Sequence, residues 1–470
     1  MKSGRQLNRS LGLSMVVVVV ITNILGSGVY KKVAPMASSL HSSGWIMVCW
    51  ILGGIISLFG ALSYAEVAGL LADTGGDYAY YKKIYGRFFS FLFGWSIFTA
   101  IQTAAIASLA YLFAHSLANI LSLPEIFPGL KEINVFGIFY PFQEFSVKLI
   151  AISLIILLTL FNGLGLRTGS RFSSIILVLI LVGILMVAFL AAISGKADYS
   201  RVLDFSSDPS DPVTFKTVFT AMLATFWAYQ GWASVGFVGG EVKDANRVIP
   251  RGITIGVFVV IALYLLANAT YLSLLTVPEL EKINHSESSI AAVEAVRIFG
   301  GNNGAVLISI LILVTTLSAT HATILSSCRI IFAMAREGLF FKPAARLNKH
   351  LVPANAMVFQ CLWGAILVLS GSFDQLTDMC IFAVYFFYGS TALGVFVLRR
   401  KMPDAHRPYR VWGFPLVPAI VILFSAVLFV NTFFARPREA GIGLFLMLTS
   451  IPMYFFFNRR HDGTIPPADM

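Results

Sequence analysis

A bilayer interior offers a peptide group no hydrogen-bonding partner, so a chain segment that crosses it must be helical or part of a closed barrel. This chain of 470 residues repeatedly offers apolar stretches of about 20 residues, the length needed to cross a hydrocarbon core about 30 Å thick. We place twelve, near 11–34, 43–70, 88–121, 145–164, 171–194, 214–240, 250–275, 303–334, 354–371, 375–398, 415–435 and 440–458. The long third and eighth spans imply tilt or helix continuing beyond the membrane. Only 12% of the residues are charged, against about 25% in soluble domains, which fits an all-α integral membrane protein. Lys2, Arg5 and Arg9 ahead of an apolar run resemble a signal peptide. That run lacks a clean small-residue cleavage site after it, so we read it as the first span.

Two spans are interrupted near their middles, the first by Asn23-Ile24-Leu25-Gly26-Ser27-Gly28 and the sixth by Tyr229-Gln230-Gly231-Trp232. Unwound backbone inside a membrane is tolerated where it lines a cavity or binds something, and paired breaks in two halves of a chain point to a transport site. The order of spans suggests two five-helix repeats, about 11–194 and 214–398, followed by two extra helices at about 415–458. An odd number of crossings inverts the second repeat, so the first and sixth helices become equivalent. All of this lies within a single transmembrane domain.

Orientation follows from the basic residues, because positively charged loops stay cytoplasmic. With both termini and the even-numbered loops inside, about two thirds of the 34 Lys and Arg fall inside. The proposed outside loop 195–213 carries Asp198, Asp204, Asp208 and Asp211. The net charge of +11 is therefore read as a topology signature of a multi-pass protein in the cell's inner (plasma) membrane, not as a nucleic-acid footprint. Cys49, Cys328, Cys361 and Cys380 all lie in or at the ends of spans, as small buried thiols would. The segment 277–302 reads as an outside loop with a short amphipathic helix from Glu287 to Phe299, closed by Gly300-Gly301, and has the placement of a lid.

Unwinding at Gly26-Ser27-Gly28 frees amides at the start of the outer half-helix, a setting suited to a carboxylate. Carbonyls left unpaired near Asn23-Ile24 and near Trp227-Ala228 suit an ammonium group. Together the breaks describe the backbone of a zwitterionic α-amino acid better than a sugar or an ion. Close helix packing through small residues is the competing explanation of Gly-Ser-Gly. Trp227 is placed to stack over a ligand as an outer gate, or simply to fill volume. Gln102, Gln230 and Asn23 are polar groups at depth that either meet a substrate side chain or bond across helices. No Asp or Glu falls mid-span, since Glu66 and Glu241 lie near span ends; a neutral side chain is therefore expected. His321 is the titratable group near the middle of a span, read either as a proton carrier or pocket wall, or as a neutral histidine bonded to a neighbour such as Ser318.

At these residues the chain resembles the amino acid–polyamine–organocation superfamily, and within it the L-type amino acid transporter family, especially bacterial serine/threonine-exchanger-like members. The resemblance runs through Gly26-Ser27-Gly28-Val29-Tyr30, Tyr64-Ala65-Glu66 with Gly75-Gly76-Asp77-Tyr78-Ala79-Tyr80, and Phe226 to Trp232. It continues through Gly240-Glu241-Val242-Lys243, Ile249-Pro250-Arg251, Arg329 with Phe332 to Gly338, and Arg407-Pro408-Tyr409-Arg410-Val411. It implies the leucine-transporter fold and alternating-access transport of amino acids. It also implies Gly-Ser-Gly amides on the substrate carboxylate, carbonyls near Ile24 and Trp227 on the amine, with Ala228, Tyr229 and Gly231 beside them, and an aromatic gate at position 227. Many relatives carry a lysine in the fifth helix at a sodium-like site; Ile180 stands there, which leaves the coupling mechanism open. Relatives usually have Phe at position 227 and Asn at position 321, and a proline where this chain has Ala72. Animal relatives can be disulfide-linked to a glycoprotein through a Cys after helix three. Residues 122–144 contain none, so no such partner is expected.

The leading expectation is an exchanger or uniporter of neutral amino acids. The alternatives are a proton- or sodium-coupled symporter, with sodium held by first-break carbonyls and hydroxyls such as Thr316, Ser318 or Thr320, and a channel or a non-transporting sensor. No nucleophile–base pair, metal cluster or phosphate-binding glycine loop stands at a plausible site, so neither an enzyme nor a cofactor is expected.

Overall fold

A computed structural model describes residues 11–71, 76–135, 139–164, 170–206, 212–286, 289–350 and 352–461, with side chains at 170–175, 237–241 and 460–461 not described. Ala72, Gly75, Asp208, Asp211 and Glu287, and the side chain of Glu241, thus lie outside the described set. The apolar runs fold as helices: α1 (Leu13–Ile24), α2 (Gly28–Lys31), α3 (Val33–Leu40), α4 (Ser43–Leu70), α5 (Asp77–Tyr85), α6 (Arg87–Ser96), α7 (Gln102–Ala118), α8 (Phe145–Gly163) and α9 (Ser170–Ile193). The second half comprises α10 (Phe215–Tyr229), α11 (Ala245–Leu274), α12 (Val277–His285), α13 (Ala291–Arg336), α14 (Ala354–Ser370), α15 (Phe373–Lys401), α16 (Leu416–Ala435), α17 (Pro437–Leu448) and α18 (Ser450–His461). Among the described residues nine helices are long and apolar enough to cross a membrane, while Leu13–Ile24 and Ala354–Ser370 are shorter apolar helices. No strand is formed among them, only the isolated bridges Leu11–Val242 and Val135–Phe139.

Three elements carry detail that the apolar pattern does not show. The third span is α6 and α7 joined by a π-helical turn, Ile97–Ile101, which rotates everything after it relative to a straight helix. The eighth agrees with its expected start near 303: α13 is two helices that meet at a kink at Gly301 (φ 58°), a short one from Ala291 that ends at the glycines and the long one beyond them. The proposed lid holds a helix that was not expected, α12. Thr276 caps it, its backbone N–H donating to Glu279 Oε2 at 2.8 Å, with Pro278 in the first turn. These bonds hold the Glu279 carboxyl below its ordinary range.

The helix α7 is the innermost, packed by α8, α13, α14 and α15, whereas α4 lies along α10 and α11, and α1 against α11. Cys49, Cys328 and Cys380 are buried and Cys361 half-buried, all as free thiols. At one end of the bundle the buried Glu66 carboxylate gathers the basic segment after α15. It accepts from Arg399 Nε at 2.9 Å and Nη2 at 2.7 Å and from the Val411 amide at 2.7 Å, with Arg407 Nε at 3.5 Å. Arg407 in turn donates to the carbonyls of Leu398 and Met402, closing the C-terminus of α15. Removing one member of a buried charged cluster leaves the others uncompensated. Glu66→Ala is expected to destabilise the protein by about 3 kcal/mol, read as a lower melting temperature of the purified protein in detergent; an unchanged melt would show that water replaces the carboxylate.

Candidate functional site

The first break comes where α1 stops at Ile24. Leu25, at ψ 89°, turns the chain away, and helix resumes at Gly28. The second comes where α10 stops at Tyr229 and Gly231, at φ 124°, redirects the chain into the 3-10 segment Trp232–Glu241. The two breaks touch. A Cβ added to Gly28 would stand 2.5 Å from Ala228 Cα, and one added to Gly231 would collide with the Asn23 carbonyl. Both glycines are therefore required by close backbone approach, and Gly231 also by its left-handed torsion.

The peptide groups freed by this unwinding are held by a residue the sequence reading missed. Tyr264 of α11 places its hydroxyl 2.9 Å from both the Ile24 and the Ala228 carbonyls, and its oxygen accepts from the Gly26 amide. One phenol thus ties the carbonyl ends of α1 and α10 together, though its single proton satisfies one carbonyl at a time. The amides of Ser27 and Gly28 donate to no backbone acceptor among the described residues. Trp227 Nε1 donates to Ser27 Oγ at 2.9 Å, which leaves the Ser27 hydroxyl proton available.

Around the breaks lies a cavity of about 60 Å³, lined by Asn23, Ile24, Gly26, Ser27 and Gly28 from the first break and by Trp227, Gln230, Gly231 and Ser234 from the second. Gln102, Ala105 and Leu109 of α7 and Ala319, Thr323 and Ser326 of α13 complete it. That volume suits roughly five water-sized groups. No ionisable side chain lines it among the described residues. On one side Trp227 meets Phe373 edge-on at 6.2 Å; on the other, Trp232 packs at a tilt on Tyr388 at 4.3 Å and edge-on to Tyr64 at 5.5 Å.

Most of the site residues read from sequence meet here, and some do not. The Tyr229 hydroxyl donates to the Trp50 carbonyl, away from the cavity, and the ring packs on Tyr264. Ala228 contributes its carbonyl and its contact with Gly28, not its side chain. His321 faces Phe161, at 6.0 Å between rings, and is not a lining residue; Ile180 is buried in α9 and does not line the cavity either. Asn23 Nδ2 donates to the Val19 carbonyl of its own helix. Thr316 and Thr320 likewise donate to carbonyls one turn back, Ile312 and Thr316.

A family model described as amino acid permease matches residues 11–457. The chain belongs to the amino acid permease family. This is a family of membrane transporters, not of enzymes. The serine/threonine exchanger SteT of Bacillus subtilis (strain 168) is 28% identical over 97% of this chain and 98% of its own length. The large neutral amino acids transporter small subunit 2 of Mus musculus is 29% identical over 96% of this chain and 81% of its own. The Asc-type amino acid transporter 1 of Mus musculus is 27% identical over the same shares.

Because Tyr264 serves two buried carbonyls, Tyr264→Phe is expected to cost about 1–3 kcal/mol. The readout is a lowered melting temperature of the purified permease; a wild-type melt would mean that the breaks are held by other groups.

Proposed function

We propose that this permease moves small neutral L-amino acids across the membrane by alternating access, as an exchanger. The observation that carries the reading is the meeting of the two breaks. Ser27 and Gly28, whose amides meet no backbone acceptor among the described residues, and Asn23, Ile24 and Trp227 at the carbonyl ends of α1 and α10 line one uncharged cavity, which supports a site for a carboxylate and an ammonium a few ångströms apart. The similarity to a serine/threonine exchanger and to a large neutral amino acids transporter supports the same class. In this reading the chain crosses the membrane twelve times with the leucine-transporter fold. Two inverted repeats, about 11–194 and 214–398, and two further helices, about 415–458, make up the domain. Both termini are cytoplasmic in the plasma membrane, so the cluster of Glu66 with Arg399 and Arg407 marks the inner face.

Trp227 is the outer gate, and its bond to Ser27 couples the ring to the carboxylate-binding loop. Gln102, Thr323 and Ser326 face the substrate side chain, where they accept hydroxyl or small apolar groups and offer nothing to a cation. No disulfide-linked subunit is invoked, since the loop between α7 and α8 contains no Cys. Sodium coupling is the second reading, with the Thr316 and Thr320 oxygens as donors.

The test is uptake of labelled neutral amino acids into liposomes holding the purified permease, with and without unlabelled amino acid inside. Flux that requires a loaded lumen establishes exchange. Equal flux into empty vesicles establishes uniport or symport, which a sodium or proton gradient then separates, and binding without flux points to a sensor. Gly28→Leu is expected to abolish binding while the protein remains extractable. Arg or Lys competing better than Ser or Ala would contradict the neutral-substrate assignment.

A further inference from the structure

Tyr64 of α4 confronts two acceptors with one proton. Its hydroxyl is in hydrogen-bond contact with Asp77 Oδ1 and lies 2.9 Å from the carbonyl oxygen of Ala233, in the 3-10 segment after the second break. All three residues are buried, with Asp77 only 7% exposed. Gly236 makes the approach possible, because a Cβ there would collide with the Tyr64 hydroxyl and stand 2.9 Å from Asp77 Oδ1. An ionised carboxylate and a carbonyl are acceptors only, and a phenol has one O–H. With Asp77 ionised, one of the two contacts sets acceptor against acceptor in a buried place, where an unmade bond is costly. With a proton on Asp77, its O–H donates to the Tyr64 oxygen while Tyr64 donates to Ala233, and both contacts become hydrogen bonds.

We infer that Asp77 is a proton-binding site, and that the bound proton latches the segment after the second break to α4 and α5. The surroundings agree. Burial pushes the carboxyl up to about 7, with the Tyr64 bond opposing. The titratable groups facing it are neutral phenols: Tyr64 with its neighbour Tyr80, Tyr81 on the same helix as Asp77, and Tyr388 from α15. Charges on the adjoining elements are engaged elsewhere. Lys82 pairs with Glu337 at 2.8 Å, Arg87 donates to the Glu337 carbonyl and to Asn458, and Glu66 holds Arg399 and Arg407. The N-terminus of α5 favours the ionised form, but it is one helix end against burial and an unmatched acceptor.

The sign follows from linkage. If opening this side of the bundle hydrates Asp77 and returns it to an ordinary carboxylate range, closure takes up a proton between that range and about pH 7. Acid on this side then holds it shut: the latch weakens by up to about tenfold per pH unit as pH rises from the ordinary carboxylate range toward about 7, and levels off above that. The transport consequence rests on the alternating-access reading; the proton site does not.

The decisive measurement is an infrared titration of the full-length permease in lipid between about pH 5 and pH 9. A carboxylic-acid C=O band is expected to disappear with a midpoint near neutrality, to be absent in Asp77→Asn, and to shift its midpoint in Tyr64→Phe, which keeps the ring. No such band, or one unchanged in both variants, overturns the site. In liposomes the exchange rate should depend on pH on the Asp77 side and become flat in Asp77→Asn, whose amide donates to Tyr64 as the protonated acid does. A wild-type pH profile in that variant overturns the latch. Absence of amino acid flux at every pH would instead sink the transport reading, and the infrared band would still decide the site.

Discussion

Interrupting two apolar helices leaves buried peptide groups without their helical partners, and the fold is organised around satisfying them. The Tyr264 hydroxyl does so at the carbonyl ends of α1 and α10, and the contact of Gly28 with Ala228 and of Gly231 with Asn23 brings those ends within its reach. A side chain at either glycine would push the breaks apart and strand the carbonyls. The amides of Ser27 and Gly28 are left without a backbone acceptor among the described residues, so in the proposed reading the geometry that ties the carbonyl ends leaves the first break open to an anion.

Charged groups are kept to the two ends of the bundle, where they join elements that must separate if access alternates. Lys32, just beyond the first break, donates to Asp374 at 2.5 Å and to Thr377 at 2.6 Å on α15, and lies 4.0 Å from Asp378, which Arg436 also approaches at 3.4 Å. At the opposite end Glu66 binds α4 to the segment after α15. Buried ion pairs add little net stability over an apolar contact, but they are costly to break singly and re-form in one geometry. That makes them poor glue and good end-stops for a molecule with two closed forms.

The breaks were legible because Gly, Ser and Asn in the middle of apolar runs contradict the demand for continuous helix. Helix phase was less legible. Residues two apart on a helix point about 200° from each other. Ala319, Thr323 and Ser326 follow the cavity face while His321, two residues on from Ala319, turns to Phe161. Tyr229 likewise points opposite Trp227, toward Trp50. Near a break or a π turn, the phase read from an unbroken helix fails. The turn at Ile97–Ile101 aims Gln102 at the cavity and leaves no mark in an apolar sequence. Tyr264 and Asp77 were missed because their roles depend on contacts between distant segments. Tyr264 looks like any tyrosine in an apolar span, and Asp77 stands only as one residue of the Gly75 to Tyr80 stretch until the Tyr64 hydroxyl is seen to join it to Ala233.

The chemistry of the cavity narrows what it can select. A zwitterion has no net charge, so its carboxylate and ammonium can be met by backbone dipoles alone, and no ionisable side chain is needed in the wall. A third charge on the substrate would have to be desolvated against Gln102, Thr323, Ser326 and apolar neighbours, without a counter-ion. The Lys32, Asp374, Asp378 and Arg436 charges are already matched to one another outside the cavity. Trp227 adds a further restriction. Its indole N–H occupies one lone pair of Ser27 and leaves the Ser27 proton to donate, so in the proposed reading the gate and a substrate carboxylate draw on different capacities of one hydroxyl. A phenylalanine at this position would cover the cavity by packing alone, whereas the indole also bonds the loop that carries Ser27.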